Sequence, residues 1–445
     1  MRKSIAAIAV AAALAPATAL ATDGYFSHGY GMKGKGRGGA STAMATDAFG
    51  GANNPATMVF AGDRLDVGVD WFRPDRSMSR TGSTGAGAGL GGPIDASQGG
   101  NEHSNFFIPE FGYNKLIRPD LSLGVTVYGN GGMDTDYKGG VVPAGICGAA
   151  TANVLCGSGN LGVDLQQLII APTLAWKFTP QHSIGVSPLL GYQKFKAYGL
   201  QAFSPISSDP AHLSNRGYDD TWGLGVRVGY YGELSPAVSV GAAYSTKIKG
   251  KFNDYKGLFA DGGRFDIPEN WNVGVAFHAT PAITIAADFQ RINYGGVNSV
   301  GNPSNVAGCN PLTNFPTGPG IGGACLGASA GSIGFGWANV NVLKLGVEYQ
   351  YNPGLTLRAG YNHSDNPVQA RDVTFNILAP GVVQDHVTLG FTYAVGKSSE
   401  VTAAYMHAFK KSVNGPATNP YFNVGGTETI TLSENSLGVA WGMKF

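Results

Sequence analysis

Along most of this chain, large apolar residues recur at every second position. In 64–72, Leu65, Val67, Val69 and Trp71 share one face, and Asp66, Gly68 and Asp70 share the other. In 121–127, Leu121, Leu123, Val125 and Val127 oppose Ser122, Gly124 and Thr126. At the C-terminal end, Leu437, Val439, Trp441, Met443 and Phe445 oppose Ser436, Gly438, Ala440, Gly442 and Lys444. A period of two is that of a β-strand with unlike faces. Fourteen such segments can be counted, near 64–72, 106–116, 121–128, 165–178, 183–196, 222–233, 237–249, 270–279, 282–293, 342–350, 355–363, 385–395, 399–409 and 435–445. The second, fourth and fifth alternate least regularly.

The connections alternate too. Tight turns rich in Pro, Gly, Asn and Asp follow the even segments, among them Arg118-Pro119-Asp120, Ser235-Pro236 and Asn352-Pro353-Gly354. Long connections follow the odd segments, the longest being 129–164 and 294–341. Short turns on one side and long loops on the other is the pattern of an outer-membrane barrel, with the long loops extracellular. Fourteen strands enclose a lumen too wide for side chains alone to fill, since about eight is the filled size. The apolar face therefore points to lipid and the small, polar face lines the lumen. Aromatics near strand ends (Trp71, Tyr128, Trp176, Trp271 and Trp441) suit the interfacial girdles.

The ends complete this reading. Arg2 and Lys3 precede an uncharged Ala/Ile/Val run and Ala19-Leu20-Ala21, the layout of a cleaved signal peptide. The run falls short of the ~20 apolar residues of a spanning helix. Residues 22–63 are Gly-rich, show little alternation and no evident helix, and are too long for a simple tail. Wide barrels often carry a plug. The expected organisation is a signal peptide (1–21), a plug (22–63) and an all-β, antiparallel transmembrane barrel of fourteen strands (64–445).

Composition narrows the function. Gly reaches 68 residues, charged residues only 13%, and the 30 basic and 29 acidic side chains nearly balance. Losing Arg2 and Lys3 leaves the mature chain one charge negative, with no electrostatic footprint for nucleic acid. The four cysteines lack zinc-type spacing and would meet an oxidising compartment. Of three pairings, the local one is expected, Cys147–Cys156 with Cys309–Cys325, closing two short loops.

Catalytic motifs are not supported. Gly29-Tyr30-Gly31-Met32-Lys33-Gly34 fits G-x-G-x-x-G literally, but no strand precedes it and no helix follows. The eight histidines form no metal pair, and G-x-S-x-G does not occur. No enzyme, cofactor or metal is expected. Arg227, Lys247, Lys249, Asp288, Lys344, Glu348 and Arg358 fall on the lumen side of the pattern. Most such charges form a salt-bridged inner wall, and one or two cations could hold a substrate carboxylate. The head-group candidates are Lys194, Arg227, Lys344 and Arg358.

The chain resembles the FadL/TodX family of outer-membrane transporters for long-chain fatty acids and aromatic hydrocarbons. Asn54-Pro55-Ala56 is similar to the family's motif at the end of its plug, followed by Asp63-Arg64 and the first strand. Ile267-Pro268-Glu269-Asn270-Trp271 is similar to its Leu-Pro-Glu-x-Trp segment. Tyr244-Ser245, the run Ser364-Asp365-Asn366-Pro367-Val368, Tyr405-Met406-His407 and the terminal Phe445 match in order. The resemblance implies a plugged barrel with a kinked third strand that opens the wall sideways, so that a hydrophobic solute leaves laterally. Here that strand ends in Tyr128-Gly129-Asn130-Gly131-Gly132, residues that permit a kink and that also suit a loop start. The expected function is passive transport of hydrophobic small molecules. The alternatives are a general diffusion porin and a membrane-embedded hydrolase. Expected partners are the solute, outer-membrane lipid and lipopolysaccharide, and the barrel-assembly machinery, with the protein a monomer and no nucleic acid bound.

Overall fold

The computed structural model describes residues 22–86, 89–306, 325–419 and 422–445. The expected leader and Cys309 lie outside the described residues. The strands are β1 (Arg64–Thr81), β2 (Ala96–Gly99), β3 (Phe106–Arg118), β4 (Leu121–Tyr137), β5 (Leu161–Thr179), β6 (His182–Tyr198) and β7 (Asp219–Ser235). They continue with β8 (Val238–Ser245), β9 (Asn270–Thr280), β10 (Ile283–Ile292), β11 (Val340–Asn352), β12 (Leu355–Ser364), β13 (Asp385–Val395), β14 (Ser399–Asn419) and β15 (Phe422–Lys444). From β3 to β15 each strand pairs with the next, and β1 pairs with both β3 and β15, which closes a fourteen-stranded antiparallel barrel. β2 is an additional short strand on the outer end of β1.

Every strand expected from the alternation is present. Several run further outward than expected: β1 to Thr81, β4 to Tyr137, and the β14–β15 hairpin beyond both expected limits. The apolar alternation stops short on β1 because its outward positions there, Arg73 and Asp75, are polar and exposed. Toward their outer ends β4 and β5 are buried on both sides. β8 is much shorter than expected: it stops at Ser245, and Ile248 turns inward to bridge Ile267. Lys247 and Lys249 therefore do not belong to the lumen wall.

The apolar face is the exposed one, as a barrel in lipid requires. Val67, Val69 and Trp71 on β1, Leu345 and Val347 on β11, and Leu437, Val439 and Trp441 on β15 are exposed, while their neighbours are buried. Trp176 and Trp271 also point outward. Tyr128 does not: it is buried, with its ring edge-on to Tyr30 at 4.7 Å. It stands where β4 leaves the regular wall, so the alternation below it does not carry past it.

Two irregularities interrupt the ladders. The β3–β4 ladder ends at Phe111 and Val127, although both strands continue outward, and β4 carries a register shift against β5 between Gly129 and Gly131. The extra residue of that bulge is Asn130. The β5–β6 ladder lapses between Ile170↔Leu190 and Leu174↔Val186. Pro172 and Pro188 face each other there, and neither has an N–H to donate. Pro109, Pro172 and Pro188 thus sit in the three strands whose alternation reads least regular.

Candidate functional site

Residues 22–63 lie against the inward face of strands on several sides of the barrel. Glycines and short turns let this backbone follow the wall. Two short helices interrupt it, Met32–Gly36 and Met58–Ala61, where none was evident from the Gly-rich sequence. Three basic residues tie it to carboxylates on the wall: Lys33 to Glu400 (2.6 Å), Lys35 to Asp70 (2.5 Å) and Arg37 to Glu348 (2.7 Å). Asp288 returns the charge, accepting the backbone N–H groups of Ser41 (2.7 Å) and Thr42 (2.9 Å). Breaking such a buried pair from one side costs about 3–5 kcal/mol, because the other charge is left without a partner.

Asn54 caps a short 3-10 turn, Pro55–Thr57. The Asn54 side-chain oxygen accepts from the Ala56 N–H, and its amide donates to the carbonyls of Thr42 and Tyr230, each at 2.8 Å. The wall opposite is glycine for a steric reason. A Cβ on Gly185 would stand 2.4 Å from the Pro55 carbonyl carbon, and one on Gly229 would stand 2.1 Å from Asn54 Oδ1. Part of the high glycine content therefore lets the two layers of backbone approach.

At the other end of the segment, Tyr25–Ser27 occupies the free edge of β4. Ser27 N–H donates to the Asn130 carbonyl (3.2 Å), and Gly132 N–H donates to the Tyr25 carbonyl (3.0 Å). Beyond Val127 this edge has no partner in β3, so the N-terminal backbone satisfies groups that a lipid environment would leave bare. Tyr294 holds the same stretch, its hydroxyl donating to the Asp23 carbonyl (2.5 Å) and accepting from the Tyr25 and Phe26 N–H groups. The composition gave no sign of these residues. The run Tyr25-Phe26, two aromatics in a glycine-rich stretch, was the available signal. Burial pushes the Asp23 carboxyl up to about 6, against the opposing pull of Lys344. Burial and the nearby Lys35 hold His28 well below its usual range, so it is neutral beside His386, whose ring lies 6.3 Å away.

Three of the four head-group candidates are committed to structure. Arg227 donates to Ser245 Oγ (2.5 Å) and to the carbonyls of Gly51 and Ala52. Lys344 donates to the His28 carbonyl (2.9 Å) and stands 3.7 Å from Asp23. Arg358 binds Glu348 and Thr392. All three face inward as the alternation implies; the N-terminal segment takes donors of Arg227 and Lys344, and Arg358 shares Glu348 with Arg37. Lys194 differs: Gln193 and Phe195 point inward and are buried, so Lys194 is on the outer face of β6. It lines a cavity of about 540 Å³ with Lys196, Tyr218, Asp164, Gln166, Asp134 and residues 102–106. A much smaller apolar cavity, about 20 Å³, lies inside between Phe72, Met133, Trp337 and Leu432.

Cys147 and Cys156 are joined by a disulfide, with Cα atoms 5.4 Å apart. Among the described residues, no cluster of His, Cys, Asp or Glu could hold a metal ion. Ser239 and His278 approach to 3.5 Å, but His278 Nδ1 meets the Thr284 hydroxyl, where a triad would place a carboxylate.

Comparison with known proteins agrees with this architecture. Residues 8–444 match the profile of the outer membrane protein transport family (OMPP1/FadL/TodX). A long-chain fatty acid transport protein of Escherichia coli O6:H1 is 23% identical over 429 residues, 83% of each chain. The Pseudomonas putida toluene transporter TodX superposes with a TM-score of 0.64 at 18% identity, over 94% of this chain and 99% of its own. A Pseudomonas aeruginosa FadL homologue gives 0.66 at 16% identity, over 97% and 100%. These likenesses in structure concern the fold. The family profile spans nearly the whole chain, and this protein belongs to the OMPP1/FadL/TodX family of outer-membrane transport proteins.

Proposed function

We propose that this protein is a passive outer-membrane channel for hydrophobic small molecules, with residues 22–63 as its plug and the β3–β4 break as its lateral exit. It carries no catalytic step, and residues 1–21 are removed on export. The observation that carries this reading is the wall beyond Phe111 and Val127, where the ladder stops, β4 carries a bulge at Asn130 and the N-terminal backbone covers the free edge. A general diffusion porin would need an open lumen, whereas Tyr25, Phe26, Met32, Phe49 and Met58 are buried against the wall. A greasy solute that slips past the plug is driven into the bilayer by about 0.8 kcal/mol per CH₂ removed from water. The relatives support the solute class by their names, fatty acid on one side and toluene on the other.

A reversible lock across the break tests this. A Cβ on Gly129 would stand 2.8 Å from Ile108 Cγ2, within reach for a disulfide. Cells carrying Ile108→Cys/Gly129→Cys should take up toluene and dodecanoate several-fold more slowly when oxidised, with recovery on mild reduction that leaves the wild type unaffected. Uptake indifferent to the lock, or sugar uptake equal to that of the alkyl solutes, refutes the lateral exit.

A further inference from the structure

On the inner wall, one carboxylate stands without a donor. Glu434 on β15 is fully buried, and among the described residues neither of its side-chain oxygens accepts a hydrogen bond. Two charges act on it, Asp23 more strongly than Arg76. Arg76 is engaged elsewhere, with the Asp134 carboxylate at 2.7 Å, the Asn101 side chain at 3.3 Å and the His103 carbonyl. Asp70, lower on β1, is paired with Lys35 at 2.5 Å. A buried carboxylate with neither donor nor counter-ion is strongly unfavourable.

The first residues after the expected leader lie beside it. One rung of the ladder runs from Lys344 through Asn362, His386 and Ala408 to Glu434, which in turn faces Pro74 on β1. Asp23 meets the first two members of this rung, Asn362 at 3.4 Å and Lys344 at 3.7 Å. At the other end, Pro74, Leu432 and Gly381 line the cavity of about 20 Å³, and a Cβ on Gly381 would stand 3.5 Å from the Gly24 carbonyl oxygen. Thr22 is fully buried, and its backbone N–H is given to the Phe26 carbonyl at 3.2 Å.

We propose that the α-ammonium freed at Thr22 by removal of residues 1–21 is the counter-ion of Glu434, so that processing itself seats the start of the plug. The proposal rests on the reading of a leader cut after Ala21. An α-amine ordinarily titrates at about 7.7–8.0, so it is charged at neutral pH. Cutting the chain turns a peptide nitrogen with one N–H into an ammonium with two further donors, and Glu434 has two oxygens that lack them. The charges match as well. Asp23 is already opposed by Lys344, and a Thr22–Glu434 pair is neutral as a whole, so that contact keeps its place. In the uncut chain the Thr22 nitrogen carries no charge, and the first residues of the plug are held more weakly.

The test uses purified mature protein in nanodiscs. Mass spectrometry first reads its N-terminal residue; any residue other than Thr22 overturns the leader reading, and the proposal with it. Brief acetylation on both sides of the ordinary α-amine range then titrates that group on the N-terminal peptide, with the exposed Lys138 as reference. In folded wild type the α-amine should react at least tenfold more slowly at neutral pH than in urea, and titrate above its ordinary range. Glu434→Gln should remove most of that protection and lower the titration point, and Asp23→Asn should change both less. The gel shift between heated and unheated samples establishes that each variant is folded. The wild-type titration stands without the variants: a Thr22 amine that reacts freely in the folded protein overturns the proposal. A titration point that Glu434→Gln leaves in place, or that Asp23→Asn moves further, overturns it too.

Discussion

Gly131→Ala is a single-atom test of how the N-terminal segment is held. A Cβ at this position would stand 1.7 Å from the Tyr25 carbonyl oxygen, far inside contact distance, and that atom belongs to backbone. The segment must move, and the two hydrogen bonds between Tyr25–Ser27 and β4 go with it. A buried backbone group left without a partner costs about 1–3 kcal/mol, so the docked state loses roughly 2–6 kcal/mol. Even ~2 kcal/mol raises the undocked population about thirty-fold. The barrel itself should persist, because Gly131 keeps its ladder to Gln167 on β5. Chymotrypsin cleavage at Tyr25 and Phe26 should quicken by at least that order, and single-channel conductance in planar bilayers should rise. Gly92→Ala is the control, since the nearest atom to its Cβ would be 4.0 Å away. Protease resistance and conductance equal to the control would refute the idea that this edge contact holds the segment.

Docking of the segment should also depend on pH through Asp23. Its carboxyl sits at about 6 in the folded protein against an ordinary 3.8. A raised carboxyl favours the protonated docked form, so docking is firmest below pH ~4 and weakens as pH rises to ~6, by about 3 kcal/mol in all. Protease protection should follow that curve in wild type and flatten in Asp23→Asn; a flat wild-type profile counts against it. Non-reduced peptide mapping should recover Cys147–Cys156 and Cys309–Cys325, and any cross-loop pairing would contradict the loop assignment.

How much was legible depends on whether a residue answers to the bilayer or to the chain folded inside it. Val67, Val69 and Trp71 answer to lipid, and lipid imposes one rule on every strand, so the alternation located all fourteen. Arg227, Lys344 and Arg358 were placed on the correct face for the same reason. Arg227 and Lys344 find partners 176 and 316 positions earlier, and the Glu348 that Arg358 binds is shared with Arg37, 311 positions before it, pairings that a local pattern cannot encode. Lys194 was misplaced because β6 alternates weakly, and Pro188 lies in it opposite Pro172.

Those prolines have a further meaning. A facing pair of prolines deletes two donors at one point of the β5–β6 ladder, in a wall where unmatched carbonyls are expensive. Thr173 and Ser187 meet across the lapse at 2.8 Å, and Thr173 also donates to the Ala171 carbonyl, so side chains take over part of what the backbone lacks. The lapse lies level with Val125 and Thr126 on β4, just below the last β3–β4 pair. The β4–β5 ribbon therefore has a weak point on each strand, Pro172 opposite Val125 and, further outward, the Asn130 bulge opposite Leu168 and Gln167. A ribbon weakened on both strands can bend inward as a unit while keeping its own ladder. Asp134, on the ribbon's outer face, pairs at 2.7 Å with Arg76 on the inner face of β1, as an inward bend of the ribbon would require. The irregular strands are thus the ones free to depart from a cylinder, and they meet where the β3–β4 ladder ends and the N-terminal backbone takes up the edge of β4.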